Sequence, residues 1–303
     1  MKLIIIACAL MCVGGYSMAS DTEYPRPDLL IEAAALSRSE VAGQFVVLDA
    51  RERKEYDEGR IPGAVWVDAV AWAKAFGDGK DAEGWSTRIG SLAIGPDAKV
   101  VVYDNVSFKD AARIWWILRY WGLEDARLLN GNWIGWTKAG LAIETGKPRA
   151  PTAAKFPAVP RSKRLATKGQ LLDALKGPGL QIVDARSEAE FCGIDKAKNK
   201  RAGAIPGAKH LEWIDLIDKD TQRLKSPGEL RRLFRDAGID LEKSTATHCQ
   251  SGGRAAVMAF AMELMGASDV SNYYASWSEW GNADDTPIVV PDEGGIRRGQ
   301  GPR

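Results

Sequence analysis

The chain contains an internal repeat, and this repeat limits its possible folds more than any other feature. An Asp-Ala-Arg segment ends an apolar run at 49–51 and again at 184–186. Two further segments recur in the same order: Ile-Pro-Gly-Ala at 61–64 and 205–208, and a tryptophan pair at 133 and 136 and at 277 and 280. Because the order is kept, we interpret the chain as two copies of one domain.

The spacing of these segments locates an insertion in the second copy. The Asp-Ala-Arg segments lie 135 residues apart and the Ile-Pro-Gly-Ala segments 144 residues apart, so the second copy carries nine extra residues between them. The insertion falls in the polar and basic stretch 192–201. We expect a solvated surface loop there.

The region between the copies predicts a linker. Residues 145–164 contain four prolines and scattered basic residues, a composition that disfavours a regular helix and favours extended chain. The predicted divisions are a first domain at 20–147, a linker at 148–164 and a second domain at 165–303. Within each copy, apolar β-branched runs alternate with helical patterns. This alternation predicts an α/β fold in which each domain is a mainly parallel sheet flanked by helices.

Residues 1–19 have the pattern of a cleavable signal peptide. A basic start precedes an apolar run and a small-x-small end at Ala19. The run is too short to cross a bilayer comfortably, so we expect no membrane span in the mature chain and export to the periplasm or the exterior. A retained N-terminal anchor is the alternative. Cleavage would remove Cys8 and Cys12 and leave Cys192 and Cys249.

The overall charge excludes some classes of partner. The chain has 41 basic and 40 acidic residues, which gives a formal net charge of +1 and no footprint for nucleic acid or an anionic membrane. Any anion site must therefore be local. The two histidines, His210 and His248, stand apart from any metal-ligand spacing, and no cofactor motif is present, so we predict neither a metal nor a cofactor.

The segment 249–254, Cys-Gln-Ser-Gly-Gly-Arg, is the strongest candidate for chemistry. It precedes a run of good helix formers, so it lies at a helix N-terminus, where free amides and the helix dipole favour a thiolate. Cys249 is therefore a candidate nucleophile. Gly252 and Gly253 allow the backbone to curl with its amides inward around an anion, and Arg254 adds a fixed positive charge.

These motifs together resemble the tandem-domain rhodaneses, a family of sulfurtransferases, over nearly the whole mature chain. The resemblance implies two rhodanese-like domains, of which the second is catalytic and the first has lost its cysteine. The first-domain position matching Cys249 is Asp104 or Asn105, and neither side chain can carry sulfur. The first domain is then expected to be structural, to pack against the second and to shape one wall of the active-site cleft.

The resemblance also implies a mechanism. Cys249 would take the outer sulfur of thiosulfate as a persulfide and pass it to cyanide or a thiol. Arg186 and Arg254 are candidates for binding the anionic group of the donor. For Arg186, the alternative is a structural salt bridge with Glu190 or another carboxylate. The remaining candidate substrate-binding residues belong to the loop itself: Gln250, Ser251, Gly252 and Gly253.

Several alternatives remain open from the sequence. Ser251 gives a Cys-x-Ser-Gly pattern that resembles the branch using 3-mercaptopyruvate. The chain could instead be a relay module that passes sulfur to a protein acceptor. A phosphatase of the dual-specificity type generally has five residues between cysteine and arginine, whereas four separate Cys249 from Arg254. A disulfide between Cys192 and Cys249 would leave no nucleophile.

Overall fold

The structure is a computed structural model that describes residues 22–177 and 179–291. The predicted signal peptide at 1–19 lies outside the described residues. Within them, no helix combines the length and the apolar composition that a bilayer span requires.

The first domain is a five-stranded parallel sheet with helices packed around it. Its strands are β1 (Leu30–Glu32), β2 (Phe45–Asp49), β3 (Val65–Trp66), β4 (Lys99–Tyr103) and β5 (Asp125–Asn130). Its helices are α1 (Ala33–Leu36), α2 (Ser39–Ala42), α3 (Arg53–Glu58), α4 (Ala69–Phe76), α5 (Ala82–Gly90), α6 (Lys109–Tyr120) and α7 (Asn132–Lys138). The strand order is β1-β5-β4-β2-β3, with every neighbouring pair parallel.

The second domain repeats this architecture with four strands. Its strands are β6 (Gln181–Asp184), β7 (Lys209–His210), β8 (Thr245–His248) and β9 (Val270–Asn272). Its helices are α8 (Lys168–Ala174), α9 (Glu188–Phe191), α10 (Pro227–Asp236), α11 (Gly253–Leu264) and α12 (Ser276–Trp280). The order is β7-β6-β8-β9, again parallel, and a single bridge between Leu165 and Asn272 stands where the first domain has β1. The predicted fold class is confirmed.

Three short 3-10 helices complete the regular structure, at Pro27–Leu29, Ser162–Arg164 and Trp213–Leu216. Strand register then aligns the two copies residue by residue. Asp49 pairs with Tyr103 in the first sheet, and Asp184 pairs with His248 in the second. Tyr103 therefore corresponds to His248, and the residue after it, Asp104, corresponds to Cys249. This register removes the one-residue ambiguity that the sequence left.

The Asp-Ala-Arg repeat forms the same buried ion pair in both domains. Arg51 Nη2 lies 2.5 Å from Asp49 Oδ2 and donates to the Gly59 carbonyl oxygen. Arg186 repeats the ion pair with Asp184 at 2.5 Å. The pair ties the carboxyl end of a central strand to a neighbouring loop, since each arginine also bonds a loop carbonyl. Its presence in both copies identifies a structural role for this motif.

Helices α6 and α11 pack against each other across the domain boundary. In α11 every residue except Arg254 is buried, and α6 is buried over most of its length. Helices that are apolar on all sides occupy the interior of a protein. The Trp115 and Phe260 rings meet edge to face with centroids 4.9 Å apart, and Arg164 Nη2 lies 2.6 Å from Glu263 Oε1. One hydrophobic core therefore continues through both domains.

Chain segments outside the sheets also cross between the domains. Residues 148–161 form neither helix nor strand, and the amide of Val159 donates to the Trp121 carbonyl oxygen at 3.0 Å. At the other end, the amide of Arg26 donates to the Leu264 carbonyl oxygen at 3.0 Å. The linker therefore lies along the first domain, while the N-terminal segment lies against the second.

The continuous core predicts that the two domains unfold together. Phe260→Ala removes a ring that packs between α6 and α11, which should cost about 3 to 5 kcal/mol. Urea unfolding should give one transition that is shifted equally when followed by two probes. One is tryptophan fluorescence, since the first domain contributes most tryptophans, and the other is the accessibility of the buried Cys192 of the second domain to alkylation. Two separate transitions in the wild-type protein would contradict a shared core.

Candidate active site

Cys249 lies between the end of β8 and the start of α11 and is 1% exposed. Its amide donates to Ser276 Oγ at 3.1 Å, and its carbonyl oxygen accepts from the Trp277 amide at 3.0 Å. The first domain makes the two equivalent bonds around Asp104. The repeated tryptophan segments therefore hold the start of this loop in both domains.

In the first domain, the loop encloses the carboxylate of Asp104. Its two oxygens accept four backbone N–H groups at 2.9 to 3.1 Å, from Val106, Phe108, Asp110 and Ala111. Burial raises the pKa of Asp104 to about 6, while the amide donors act to lower it, so the group is ionised at neutral pH. The loop of the first domain is therefore an anion receptor, and the anion that it binds is the Asp104 carboxylate of the same chain.

The second loop is one residue shorter than the first. Two residues separate Cys249 from Gly252, whereas three separate Asp104 from Phe108. Phe108 and Gly252 correspond because each directly precedes its helix in the left-handed conformation, with φ of 67° and 83°. The amides of Gly252, Arg254 and Ala255 therefore correspond to those of Phe108, Asp110 and Ala111 in the first loop.

Gly252 is favoured by its left-handed backbone conformation, and both glycines of this loop lie close to neighbouring side chains. A Cβ atom on Gly252 would lie 2.6 Å from Cδ2 of Tyr274, and one on Gly253 would lie 2.4 Å from Nη2 of Arg113. Sequence analysis explained these glycines by the curl of the backbone alone. The second reason was not accessible from the sequence, because Arg113 comes from the other domain.

Arg113 of α6 is the site residue that sequence analysis missed. Its Nη1 donates to the Ser251 carbonyl oxygen at 2.7 Å and to the Tyr274 hydroxyl at 3.0 Å. The Tyr274 ring stacks on Trp116 with centroids 5.2 Å apart. Burial raises the pKa of Tyr274, so its hydroxyl remains protonated near neutral pH. The sequence predicted that the first domain shapes one wall of the site, and Arg113 is a contact that this domain makes there.

Arg254 is held by a carboxylate rather than left open. Its two terminal nitrogens lie 2.5 and 2.8 Å from the carboxylate oxygens of Glu190 on α9. Burial alone would lower the pKa of Arg254, but the bond to Glu190 and the charges of Cys249 and Glu190 raise it above its ordinary value. The guanidinium is therefore permanently charged, and Glu190 balances that charge.

Arg186 makes structural contacts through its Nε and Nη2 atoms. It is 1% exposed, and it is bound by Asp184, by the Gly203 carbonyl oxygen at 2.8 Å and by the Trp277 ring, whose centroid lies 4.1 Å from Cζ. The ion pair that the sequence held open with Glu190 or another carboxylate is present, with Asp184 as the partner. Contact between Arg186 and a donor stays a prediction.

The insertion in the second domain reaches the Cys249 loop. Asn199 and Gln250 exchange two side-chain hydrogen bonds of 3.0 Å, and Gln250 Nε2 also donates to Ser278 Oγ at 3.1 Å. Asn199 is 6% exposed, whereas Lys196 and Lys198 of the same segment are exposed. The expected surface loop is thus solvated at its lysines but fastens the side chain of Gln250.

His248 is a buried, uncharged group next to the strand end. Its Nε2 lies 3.5 Å from Asp184 Oδ2, and both residues are wholly buried. Burial lowers the pKa of His248 to about 4, although Asp184 opposes the shift. For Asp184, burial acts to raise the pKa, but His248 and Arg186 together lower it to about 2. At neutral pH the Asp184 carboxylate therefore faces Arg186 and a neutral imidazole.

Cys192 and Cys249 are not joined by a disulfide. Cys192 packs instead with Phe191 and Ala204 in a small cluster. Within residues 22–177 and 179–291, no three His, Cys, Asp or Glu side chains are placed to hold a metal ion together. The groups available for chemistry at this loop are a cysteine sulfur, a set of backbone amides and two guanidinium groups.

Comparison with known proteins places this geometry in a family. The family profile of the rhodanese-like domain matches the chain twice, at residues 32–139 and 167–283. The chain belongs to the rhodanese-like family. Each match covers one of the two sheets and its surrounding helices, so the tandem rhodanese resemblance read from the motifs is confirmed.

Characterised relatives span most of the chain. The thiosulfate sulfurtransferase of Corynebacterium glutamicum is 33% identical over 283 residues, covering 88% of this chain and 92% of the relative. That of Pseudomonas aeruginosa is 31% identical, covering 86% and 97%. The 3-mercaptopyruvate sulfurtransferase of Escherichia coli is also 31% identical, covering 79% and 86%. Sulfur transfer is therefore the activity class of this rhodanese-like chain, and the donor is a separate question.

A solved structure gives a further likeness. EanB, determined as a cysteine persulfide in a tetrahedral intermediate state with ergothioneine, has a TM-score of 0.79 and 25% identity. The alignment covers 88% of this chain and 71% of EanB. A tandem arrangement closely similar to this one is thus found in a protein whose cysteine carries a persulfide.

The anion receptor of the first domain predicts a stability effect. Asp104→Ala leaves four buried amides without their acceptor and should lower the free energy of unfolding by about 3 kcal/mol. Asp110→Ala, at the second residue of α6, loses a 3.8 Å ion pair with Lys109 and an acidic side chain in the first helical turn. It should cost about 1 kcal/mol or less. Urea denaturation measures both variants. Equal losses would contradict the assigned role of Asp104.

His248 predicts a pH dependence of stability. Because its pKa is about 4 in the folded state and ordinarily 6.5, the unfolded state binds the proton more tightly, and stability falls as pH drops below 6.5. Asp104, with its raised pKa, acts in the opposite direction, so the test compares wild type with His248→Gln. Between pH 7 and pH 5, wild type should lose about 2 kcal/mol relative to the variant.

If His248→Gln and wild type showed parallel stability curves from pH 7 to pH 5, His248 would not be a buried neutral group.

Proposed function

We propose that this protein moves sulfane sulfur from thiosulfate to a thiophilic acceptor, cyanide or a thiol, through a persulfide on Cys249. The observation that carries the proposal is the pair of loops. In the first loop, four amides hold the Asp104 carboxylate. In the second loop, Cys249 stands at the position of Asp104, directly before a helix that begins with the corresponding amides. A persulfide lengthens the cysteine side chain by one charged sulfur atom. That atom takes the place that the Asp104 carboxylate has in the first loop.

The chemistry balances without a cofactor. The Cys249 thiolate forms a bond to the outer sulfur of thiosulfate, and the bond between the two thiosulfate sulfurs breaks, with its electron pair leaving on sulfite. The product is the persulfide anion of Cys249, which the loop amides stabilise as they would an oxyanion. Cyanide or a thiolate then takes the terminal sulfur, and the electron pair of the broken bond returns to Cys249.

The substrate is a small anion, and the local charges suit it. Arg254 keeps its positive charge at all physiological pH values, and Arg113 adds a second guanidinium beside the loop. Glu190 balances the charge of Arg254, so the amides and Arg113 carry much of the anion binding. The side chain of Gln250 is engaged by Asn199, and its role towards substrate is through its backbone.

Two alternatives are distinguished by the donor and the acceptor. Ser251 supports 3-mercaptopyruvate as donor, with pyruvate as the second product, and a relative named for that donor matches this chain. A relay module would accept sulfur and release it only to a protein partner. The N-terminal pattern at 1–19 supports export, so we place the activity in the periplasm or outside the cell.

The experiment is an intact-mass measurement of the mature protein after brief incubation with thiosulfate, and in parallel with 3-mercaptopyruvate. Wild type should gain one sulfur, about 32 Da, and lose it on addition of cyanide. Cys249→Ser should gain none, whereas the matched control Cys192→Ser should gain the same mass as wild type. A gain with 3-mercaptopyruvate alone would replace the donor, and no gain with either would overturn the proposal. A gain that cyanide and small thiols leave intact would favour the relay.

A further inference from the structure

We propose that Arg113, contributed by the first domain, is a positioning residue for the sulfur-carrying loop of the second. This inference rests on the proposed sulfur transfer at Cys249 and assigns to the first domain a direct part in it. Arg113 orients one peptide of the loop and supplies an uncompensated positive charge beside it.

The contacts of Arg113 are specific to the loop. It is 9% exposed, and its Nη1 donates to the Ser251 carbonyl oxygen at 2.7 Å. Its Nη2 lies so near Gly253 that a Cβ atom there would stand 2.4 Å away. The Tyr274 hydroxyl accepts from the same Nη1 at 3.0 Å, which holds the guanidinium in place. Contacts with Ser251, Tyr274 and Gly253 thus place the guanidinium beside the N-terminus of α11.

The bond to Ser251 determines the direction of the next amide. No cis peptide occurs among the described residues, so the carbonyl of Ser251 and the N–H of Gly252 point to opposite sides of one planar peptide. Arg113 draws the carbonyl outward, and the Gly252 N–H therefore turns into the loop. The counterpart amide in the first domain, that of Phe108, donates to the Asp104 carboxylate at 3.0 Å. Arg113 thus presets an amide that the persulfide sulfur uses.

Charge adds to this geometric effect. Arg113, Arg254, Glu190 and Tyr274 contact the loop or its first helical residues. Asp184, Arg186, Glu212 and the neutral His248 lie behind them. Glu190 pairs with Arg254 and Asp184 with Arg186, whereas no carboxylate of residues 22–177 and 179–291 forms an ion pair with Arg113. The cation without an ion-pair partner beside the loop therefore comes from the first domain.

The pseudo-symmetry of the domains singles out this residue. Helices α6 and α11 start at 109 and 253 and end at 120 and 264, so the counterpart of Arg113 is Val257. Val257 is buried and apolar. Arg113 therefore places a cation beside the loop that contains the cysteine. The equivalent position on the other helix carries an aliphatic side chain, and the loop of the first domain already contains its own anion, Asp104.

The test measures Cys249 reactivity and turnover in Arg113→Met, Arg113→Lys and Tyr274→Phe. Loss of the charge should slow alkylation of Cys249 by iodoacetamide at pH 7 roughly tenfold and shift its pH profile upward by about one unit. The kcat for sulfur transfer from thiosulfate to cyanide should fall at least about tenfold. Arg113→Lys should recover both rates to within about threefold. Tyr274→Phe, which keeps the ring, should give a smaller loss in both.

The matched control is Arg164→Met. Arg164 also joins the two domains, through Glu263 and the Trp115 ring, but it contacts neither Cys249 nor its loop. Arg164→Met should lower thermal stability as much as Arg113→Met does, but it should leave the pH profile of Cys249 alkylation unchanged. Equal losses of alkylation rate in Arg164→Met and Arg113→Met, or wild-type kinetics in Arg113→Met, would overturn the inference.

Failure of the proposed function would look different. Alkylation needs no sulfur donor, so the dependence of Cys249 reactivity on Arg113 is measured even if wild type forms no persulfide. A wild-type protein that is inert to every donor, with an Arg113-dependent alkylation rate, would overturn the sulfur-transfer mechanism and keep the contact. If Arg113→Met does not fold, the milder variants Arg113→Lys and Tyr274→Phe provide the same comparison. Wild-type rates of Cys249 alkylation in both variants would contradict the role of Arg113.

Discussion

The free amides at the start of α6 and α11 are the constraint on which the two sites depend. A helix leaves its first N–H groups without intrahelical partners, and these groups need other acceptors. The first domain satisfies these amides with the Asp104 carboxylate. The second domain places Cys249 at the position of Asp104, so no carboxylate of this loop occupies that position. In the proposed reaction, the charge that the cysteine acquires as a persulfide would serve these amides instead.

The architecture could be predicted from the sequence because it depends on local patterns, and the same patterns locate Cys249 as the candidate nucleophile. The alternation of apolar strands with helical segments, the repeat and the Cys249 loop with its glycines are all contiguous in the chain. The Asp-Ala-Arg motif was harder to interpret, since the same arginine fits a donor contact or an ion pair. Its role depends on which carboxylate lies nearest, and for Arg186 the folded chain supplies Asp184.

Long-range contacts could not be predicted. Arg113 meets Ser251 across 138 positions of sequence, and Asn199 meets Gln250 across an insertion whose composition is simply polar and basic. No periodicity or spacing encodes such pairs, because they arise from the packing of α6 against α11 and from the fold of a loop. This packing also determines what the first domain contributes to the site. It contributes the cation of Arg113, and not a second cysteine.

The most direct test of this account is a crystal structure of the thiosulfate-treated protein. With the two domains superposed, the terminal sulfur on Cys249 should lie at the position of the Asp104 carboxylate. It should be about 3.3 to 3.6 Å from the amide nitrogens of Gly252, Arg254 and Ala255. A terminal sulfur that points out of the loop, away from these amides, would contradict the claim that the loop is built to hold a cysteine-borne anion.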